Sequence, residues 1–440
     1  MEETYVTKVK EFGGKAFSPE ELEIVILEQI DIAAAGLTLN PADPPRHFIH
    51  HAELGLMTHE LLQMQRIHAW PRPYGFAEPQ RAVITPSGDY LLMAAIGKAH
   101  QWGVTGKVNE IVAYRSKDKG KTWSLPTLPW EVPYSQHAFN PLIPKGSKRI
   151  YTFGTDFHPD HIVLPHNGIL PIRYSDDDGY TWSEPEYIRP VNDPEFRGVG
   201  HMQGCETDDG TWLLGTYFIE SLENGRRRDI QYVLRSEDKG KTWELLPGKR
   251  PNGWYLKEYN RMLEGQVINI GRGEVLLMLR TEEGHLWSSR SFDDGKTWSD
   301  PAPTTLHHPD SPPMVFHLAD KHTLIAFIHN RRNPALSFKD ATSRCELWFS
   351  LSHDKGHTWE EPRFMMANTS DLDGAARHQL ATGQMLGVGA VEICYCDLLV
   401  DGPNLHLFFD HRKRQVLQAS FTEQDLAKFP TKQELVQWTK

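Results

Sequence analysis

The chain has little cysteine, no run of basic residues and no long apolar segment, and each absence excludes a class of protein. Its 440 residues contain only 4 cysteines, too few for a disulfide framework, and we expect them to be reduced thiols. The net charge is −11 without a basic cluster, which argues against a nucleic-acid partner. Without 18 consecutive apolar residues, no membrane-spanning helix is expected.

The first residues of the chain do not resemble a signal peptide. Met1–Val6 is polar and acidic, without the apolar core of a signal peptide. Together with the reduced cysteines, this predicts a cytoplasmic protein; the alternative is a secreted protein whose signal peptide has been removed.

What the chain has instead is an eight-residue pattern, Ser-x-Asp-x-Gly-x-Thr-Trp, repeated five times. The five copies are Ser116–Trp123, Ser175–Trp182, Ser236–Trp243, Ser291–Trp298 and Ser352–Trp359. They follow one another at steps of 59, 61, 55 and 61 residues. A period this long, with one fixed motif, is typical of a radial or stacked array of equal units.

The motif has the chemistry of a hairpin turn. Its Asp side chain accepts hydrogen bonds from backbone N–H groups just ahead, and its Gly adopts a positive φ. Its Trp buries a ring against the next strand while the indole N–H needs a partner. The motif is therefore predicted to stabilise the fold and not to take part in catalysis.

Short apolar strands precede the motifs and indicate four-stranded antiparallel blades. We predict an all-β fold, a six-bladed β-propeller over residues 46–425, in which the sixth blade lacks the motif. Strands within 46–70 are expected to complete that sixth blade. Residues 1–45 are predicted to carry one helix, beginning near Ser18, and residues 426–440 a short C-terminal helix.

Polar residues stand at the starts of the predicted inner strands, where the ligands of a propeller converge. These segments are Glu78–Arg81, His137–Asn140, His201–Gln203, Glu264–Gln266, Asp310–Ser311 and Glu392–Tyr395. Among them, Asn140 and His201 are candidates for binding sugar hydroxyls. The acids and histidines of residues 156–166 fit no closed zinc pattern, so we expect neither a metal nor another cofactor.

The repeated motif matches the Asp-box, and the chain from about 75 to 425 resembles the sialidase superfamily. Three further features carry the resemblance: Glu264 opens an inner strand and Arg280 ends the next one, Arg344 stands eight residues before a box, and Tyr395 lies in the last blade. The resemblance implies that Arg280 and Arg344 hold a sugar carboxylate in bidentate fashion. It also implies that Tyr395 is the nucleophile and Glu264 its base.

Two family residues are absent, and candidates replace them. The position expected to carry the first Arg is Ala77, and Arg81 or Arg72 is the alternative. No Asp precedes the first box to act as general acid, so we assign this role to His100, with Glu110 as the other candidate. Tyr395 also stands two residues closer to the following Asp-Gly turn than the family pattern expects.

The leading hypothesis is an exo-acting, retaining glycosidase of sialidase type that releases a terminal sialic acid or related acidic sugar. Its partner would be an acidic sugar or glycan; the sequence leaves the oligomeric state open. Two alternatives use the same fold: a non-catalytic propeller that binds a glycan or protein, and a hydrolase or lyase specific for another acidic sugar.

Overall fold

The structure is a computed structural model that describes residues 43–69, 76–97, 110–130, 139–156, 167–200, 203–222, 227–256, 261–330, 344, 346–369, 393–411 and 415–438. The helix predicted near Ser18 lies outside these ranges. None of the helices within them is long and apolar enough to cross a membrane.

The described residues form 26 strands and two short helices. The first thirteen strands are β1 (Phe48–His51), β2 (Leu56–His59), β3 (Gln63–Ala69), β4 (Phe76–Ile84), β5 (Tyr90–Gly97), β6 (Glu110–Ser116), β7 (Asn140–Leu142), β8 (Ile150–Phe153), β9 (Leu170–Ser175), β10 (Glu186–Ile188), β11 (Val199–Gly200), β12 (Cys205–Glu206) and β13 (Trp212–Ser221). The others are β14 (Arg227–Ser236), β15 (Glu244–Leu246), β16 (Leu263–Gly271), β17 (Glu274–Arg280), β18 (His285–Ser291), β19 (Ala302–His307), β20 (Val315–His317), β21 (Leu324–Asn330), β22 (Glu346–Ser352), β23 (Arg363–Asn368), β24 (Ile393–Asp401), β25 (Asn404–His411) and β26 (Gln415–Thr422). A 3₁₀ helix at Glu423–Lys428 precedes helix α1 (Lys432–Trp438), at the predicted C-terminal helix.

These strands form six antiparallel sheets, and the predicted six-bladed β-propeller is confirmed. The sheet orders are β4-β5-β6, β10-β9-β8-β7, β11-β13-β14-β15 with β12 also on β13, β16-β17-β18-β19, β1-β2-β23-β22-β21-β20, and β24-β25-β26-β3. The prediction of four strands in every blade is wrong for three of them. The first has three described strands; in the third, β11 and β12 pair separately with β13; the fifth has six.

The strands before residue 70 are divided between two blades. As predicted, β3 completes the sixth blade by pairing with β26, from Gln63 opposite Ser420 to Ala69 opposite Gln415. In contrast, β2 pairs with β23 and carries β1 into the fifth blade. All four residues of β2 are buried, so this addition covers apolar surface that a free edge strand would leave in water.

The second strand of most blades carries a short apolar run, as expected for a strand covered on both faces, although Thr152 interrupts it in β8 and His406 in β25. In β5, for example, Leu91 to Ala95 are at most 3% exposed. The third strand then ends at the Ser of the repeated motif in all five boxed blades: β6, β9, β14, β18 and β22. The box is thus the turn that leads out of each third strand.

The five boxes share one hydrogen-bond pattern. In the third, Ser236 Oγ accepts from Gly240 N–H at 2.8 Å and donates to Asp238 Oδ1 at 2.9 Å. The same carboxylate accepts from the backbone and hydroxyl of Thr242 at 2.8 and 2.7 Å. The indole bond is not common to all five boxes: Trp243 and Trp298 donate to the carbonyl of their own box Gly at 3.0 and 2.9 Å. The residue before each Gly also has a positive φ, 59° at Lys239, which the sequence pattern did not reveal.

Acid is expected to destabilise the protein through these boxes. Hydrogen bonds from the Thr122 hydroxyl, the Thr122 N–H and the Ser116 hydroxyl lower the pKa of Asp118 from 3.8 to about 2. In the last box burial raises the pKa of Asp354, but bonds from Thr358 and Ser352 bring it down to about 2. A lowered folded-state pKa gives stability that is present above 3.8 and is lost as pH falls towards 2.

Urea unfolding measured between about pH 5 and pH 2 should therefore show a falling midpoint. The double variant Asp118→Asn/Asp354→Asn should flatten this dependence, whereas Asp300→Asn, at an exposed acid outside the boxes, should keep it. An unchanged pH dependence in the double variant would contradict the assignment.

The contacts divide the chain into two compact units. The terminal unit comprises Met1–Ala69, Thr281–Leu286 and Thr304–Lys440, and the central unit comprises Trp70–Arg280 and Trp287–Pro303. The core of the terminal unit contains Leu56, Phe327 and Phe409, all fully buried. The core of the central unit is built around Trp212 and Tyr232.

Candidate active site

Glu264 is held in a strained backbone conformation at the start of an inner strand. It is the second residue of β16, with a φ of 50° and only 1% of its surface exposed. The register with β17 jumps from Leu263 opposite Arg280 to Gln266 opposite Met278, so Glu264 and Gly265 together form a β-bulge. Bulges re-aim side chains, and a positive φ at a residue other than Gly is a mark of functional sites.

Arg280 lies directly against Glu264 in the central unit. It is the last residue of β17, and its Nη1 donates to Glu264 Oε2. Both side chains are buried, with 8% and 1% of their surfaces exposed. The β16–β17 hairpin therefore brings together the two residues that the sequence pattern singled out, as a buried ion pair.

Tyr395 has the same backbone anomaly in the terminal unit. It is the third residue of β24, has a φ of 48° and is 3% exposed. Here the register with β25 jumps from Cys394 opposite Asp410 to Asp397 opposite Phe408. A bulky aromatic residue at positive φ is a genuine outlier, which costs about 1–3 kcal/mol. Three steps along β24 face two along β25, so the bulge contains one extra residue.

Arg344 lies over the ring of Tyr395, with its guanidinium carbon 5.6 Å from the ring centroid. Its Nη2 donates to the Asp310 carbonyl at 2.7 Å, and its own carbonyl accepts from Ile393 N–H at 2.9 Å. A cation over an aromatic face is an attractive contact. Arg344 and Tyr395 are thus a second pair of predicted residues that the fold brings together.

One buried histidine, His329, lies close to Arg344. Burial, and then the charge of Arg344, lower the pKa of His329 to about 3. The His329 ring stacks on His308 with centroids 5.3 Å apart, and the His308 Nδ1 accepts from the His329 backbone N–H at 3.2 Å. At neutral pH His329 is therefore uncharged and adds no positive charge beside Arg344.

The other predicted residues have different outcomes. Asn140 opens β7, is 1% exposed and donates to the Phe153 carbonyl at 3.3 Å. Arg81 is 1% exposed in the middle of β4, after a register shift between Ala77 and Gln80, so spacing from Ala77 does not define its face. His100 and His201 lie outside the described residues, as does Arg72; their roles, like those of Arg81 and Asn140, stay predictions.

Sequence reasoning missed the groups that hold the two bulges. Met314, fully buried, accepts through Sδ from the Cys396 N–H at 3.2 Å, next to Tyr395. Gln231 does the same for Gly265, next to Glu264. Both contacts join residues far apart in the chain, so no local pattern could have identified them. In the described ranges, no group of three or more His, Cys, Asp or Glu residues is placed to hold a metal ion.

The fold and these contacts define a class of protein. It is a β-propeller with Asp-boxes, in which one buried Arg lies beside a Glu and another beside a Tyr. Residues 167–407, more than half of the chain, match the BNR repeat-like domain family. The chain belongs to this family.

The individual proteins that this chain resembles are named sialidase or anhydrosialidase. The chain is 30% identical over 214 residues to a sialidase of Bacteroides fragilis, covering 42% of this chain and 36% of that protein. It is 27% identical over 141 residues to an anhydrosialidase of Macrobdella decora, covering 30% of this chain and 17% of the other. The chain thus spans little more than a third, or less, of these curated relatives. A solved Hadza microbial sialidase superposes with a TM-score of 0.58 at 18% identity, covering 82% of this chain and 69% of that one.

Proposed function

We propose that the protein is a retaining exo-glycosidase of sialidase type that releases a terminal sialic acid or a related acidic sugar. One observation carries the proposal: Glu264 and Tyr395 are both buried at positive φ in bulges at the starts of inner strands, each beside an Arg. Structural strand residues do not need this strain, whereas reacting groups that must be aimed do.

The two Arg residues suit an acidic sugar. Arg280 and Arg344 are 7% and 8% exposed, so a carboxylate bound to either would be largely desolvated. A guanidinium fork binds a carboxylate through two parallel hydrogen bonds, and such bonds are strongest away from water. In this proposal the sugar carboxylate shares Arg280 with Glu264.

Tyr395 is proposed as the nucleophile and Glu264 as its base. A neutral phenol is not repelled by the negative charge of the sugar, but with a free pKa near 10 it needs a base to take its proton. As the bond from the Tyr395 Oη to the anomeric carbon forms, the phenolic proton passes to Glu264 and the glycosidic C–O bond breaks. His100, the proposed acid, protonates the leaving oxygen.

Water then completes the reaction. It attacks the anomeric carbon of the tyrosyl intermediate and gives its proton to His100, which lost a proton in the first step, while the phenolic oxygen leaves with the proton that Glu264 holds. Two displacements at one carbon give net retention. The relatives named sialidase and anhydrosialidase support this class of reaction for the chain.

Release of 4-methylumbelliferone from its sialoside tests the function directly. We expect turnover on the sialoside and none on neutral glycosides, and proton NMR should show the retained anomer of the sugar as the first product. A glucuronide and other acidic glycosides, assayed in parallel, define the sugar.

The alternatives give different results in the same experiment. Binding of free sialic acid by calorimetry without turnover on any acidic glycoside would overturn the hydrolase and favour a binding propeller. New ultraviolet absorbance on a uronic-acid polymer would indicate a lyase instead.

A further inference from the structure

Gln231, in the middle of β14, is fully buried and uses its whole side-chain amide on backbone groups. Its Oε1 accepts from the Gly265 N–H at 2.8 Å. Its Nε2 donates to the Thr216 and Tyr232 carbonyls at 2.8 and 2.7 Å. Only one orientation of the amide satisfies one N–H and two carbonyls, so the network fixes which atom faces Gly265.

The bulge creates the need for this acceptor. Between the Leu263–Arg280 and Gln266–Met278 pairs, Glu264 and Gly265 face only Leu279 of β17. The extra residue of a bulge drops out of the strand ladder, and a buried N–H without an acceptor costs about 1–3 kcal/mol. Gln231 reaches from the neighbouring blade to supply what β17 does not.

Glycines allow the approach on both sides of the bulge. A Cβ on Gly265 would stand 2.7 Å from the Gln231 amide carbon, and a Cβ on Gly215 would stand 1.8 Å from the Gly265 carbonyl oxygen. The backbone just after Glu264 is therefore clamped between the Gln231 side chain and the bare Cα of Gly215. These contacts restrict the backbone at the residue that follows Glu264.

The terminal unit holds Tyr395 with a comparable contact. The residue after Tyr395 donates its N–H to Met314 Sδ at 3.2 Å, just as the residue after Glu264 donates to Gln231. Sulfur is a weak acceptor, so the contact at Glu264 is the stronger of the two. The recurrence at both strained residues indicates that it belongs to the site rather than to general packing.

We infer that Gln231 is a positioning residue that holds the Gly265 backbone and thereby aims the Glu264 carboxylate. The claim that Gln231 clamps the Gly265 backbone can be tested without enzymatic activity. The claim that this clamp supports catalysis rests on the proposed function. Gln231 does not touch the substrate, so its loss should change the rate of the chemical step more than binding.

The test compares Gln231→Met with Gln418→Met. Methionine is close to glutamine in size but gives Gly265 only a weak acceptor and the two carbonyls no donor. Gln418 is a matched control, since it is 2% exposed in β26 and its amide bonds to Ser420 and His406 in the terminal unit. Two readouts apply to each: steady-state kinetics on the fluorogenic sialoside, and hydrogen exchange of the Gly265 amide.

We expect kcat to fall about 10- to 100-fold in Gln231→Met with KM changed less than about twofold, because a small misplacement of a reacting group mainly affects the chemical step. Exchange at Gly265 should become at least about tenfold faster. Gln418→Met should leave kcat and Gly265 exchange as in the wild type. Gln231→Leu, which also removes the acceptor and the donors and buries no charge, should give the same fall in kcat and the same faster exchange; it serves if Gln231→Met does not fold.

The remaining outcomes separate the clamp from the function. Unchanged Gly265 exchange in Gln231→Met overturns the clamp. Faster exchange with an unchanged kcat overturns the positioning role while leaving the hydrolase intact. A wild type without turnover on any acidic glycoside overturns the proposed function and the catalytic part together, and the exchange measurement alone then decides whether Gln231 holds the bulge.

Discussion

Replacing Tyr395 by phenylalanine is expected to lower kcat on a fluorogenic sialoside by about a thousandfold or more. Loss of a nucleophile removes the covalent route altogether, and only binding and polar stabilisation remain. The substitution keeps the ring that lies against Arg344, and phenylalanine must adopt the same positive φ as tyrosine. The folded structure and KM should therefore change little.

Tyr114→Phe is the matched control, because Tyr114 is 1% exposed in β6 and lies outside the proposed site. It should retain full turnover. A loss of less than about tenfold in Tyr395→Phe would rule out the nucleophile assignment, since the covalent step needs the phenolic oxygen. Mass spectrometry with a fluorinated sialosyl donor gives an independent check: a covalent adduct is expected in wild type and none in Tyr395→Phe.

The propeller was predictable because the sequence of each turn is short and local. Each box contains all its donors and acceptors within eight residues, as the Ser236–Trp243 bonds illustrate. The second strands were equally clear, since burial on both faces requires uninterrupted apolar runs such as Leu91–Ala95. In contrast, the blade that β2 joins depends on which sheet edge is open to it. The four residues of β2 do not encode that edge.

The site was predictable in part. Glu264 and Arg280 lie on two strands joined by a tight hairpin, so their spacing along the chain determines that they meet. The bulges at Glu264 and Tyr395 were not predictable, because a positive φ at Glu or Tyr opposes local preference and persists only through distant contacts. The bulge does not account for the short spacing between Tyr395 and the following Asp-Gly turn, because its one extra residue lengthens that spacing.

Glu264→Gln is expected to separate catalysis from binding. We expect kcat to fall about 10²- to 10⁴-fold, because the amide cannot take the proton of a phenol. KM for the acidic sugar should stay constant or fall, since Arg280 no longer shares its charge with Glu264 and an anionic substrate meets one negative charge fewer. Removing one partner of a buried ion pair also destabilises the fold, so the kinetics must be measured well below the melting temperature.

Glu274→Gln is the matched control for that loss. Glu274 pairs with Arg290 at 2.9 Å across the adjacent β17–β18 hairpin and is 7% exposed, so it reports the cost of breaking a buried pair without touching the proposed base. It should lower the melting temperature but keep kcat. If Glu264→Gln lowers kcat no more than Glu274→Gln does, Glu264 is a structural partner of Arg280 and not a base. If instead Glu264 and Tyr395 act in one step, the double variant Glu264→Gln/Tyr395→Phe should be no slower than Tyr395→Phe alone, because a base without a nucleophile to activate contributes nothing.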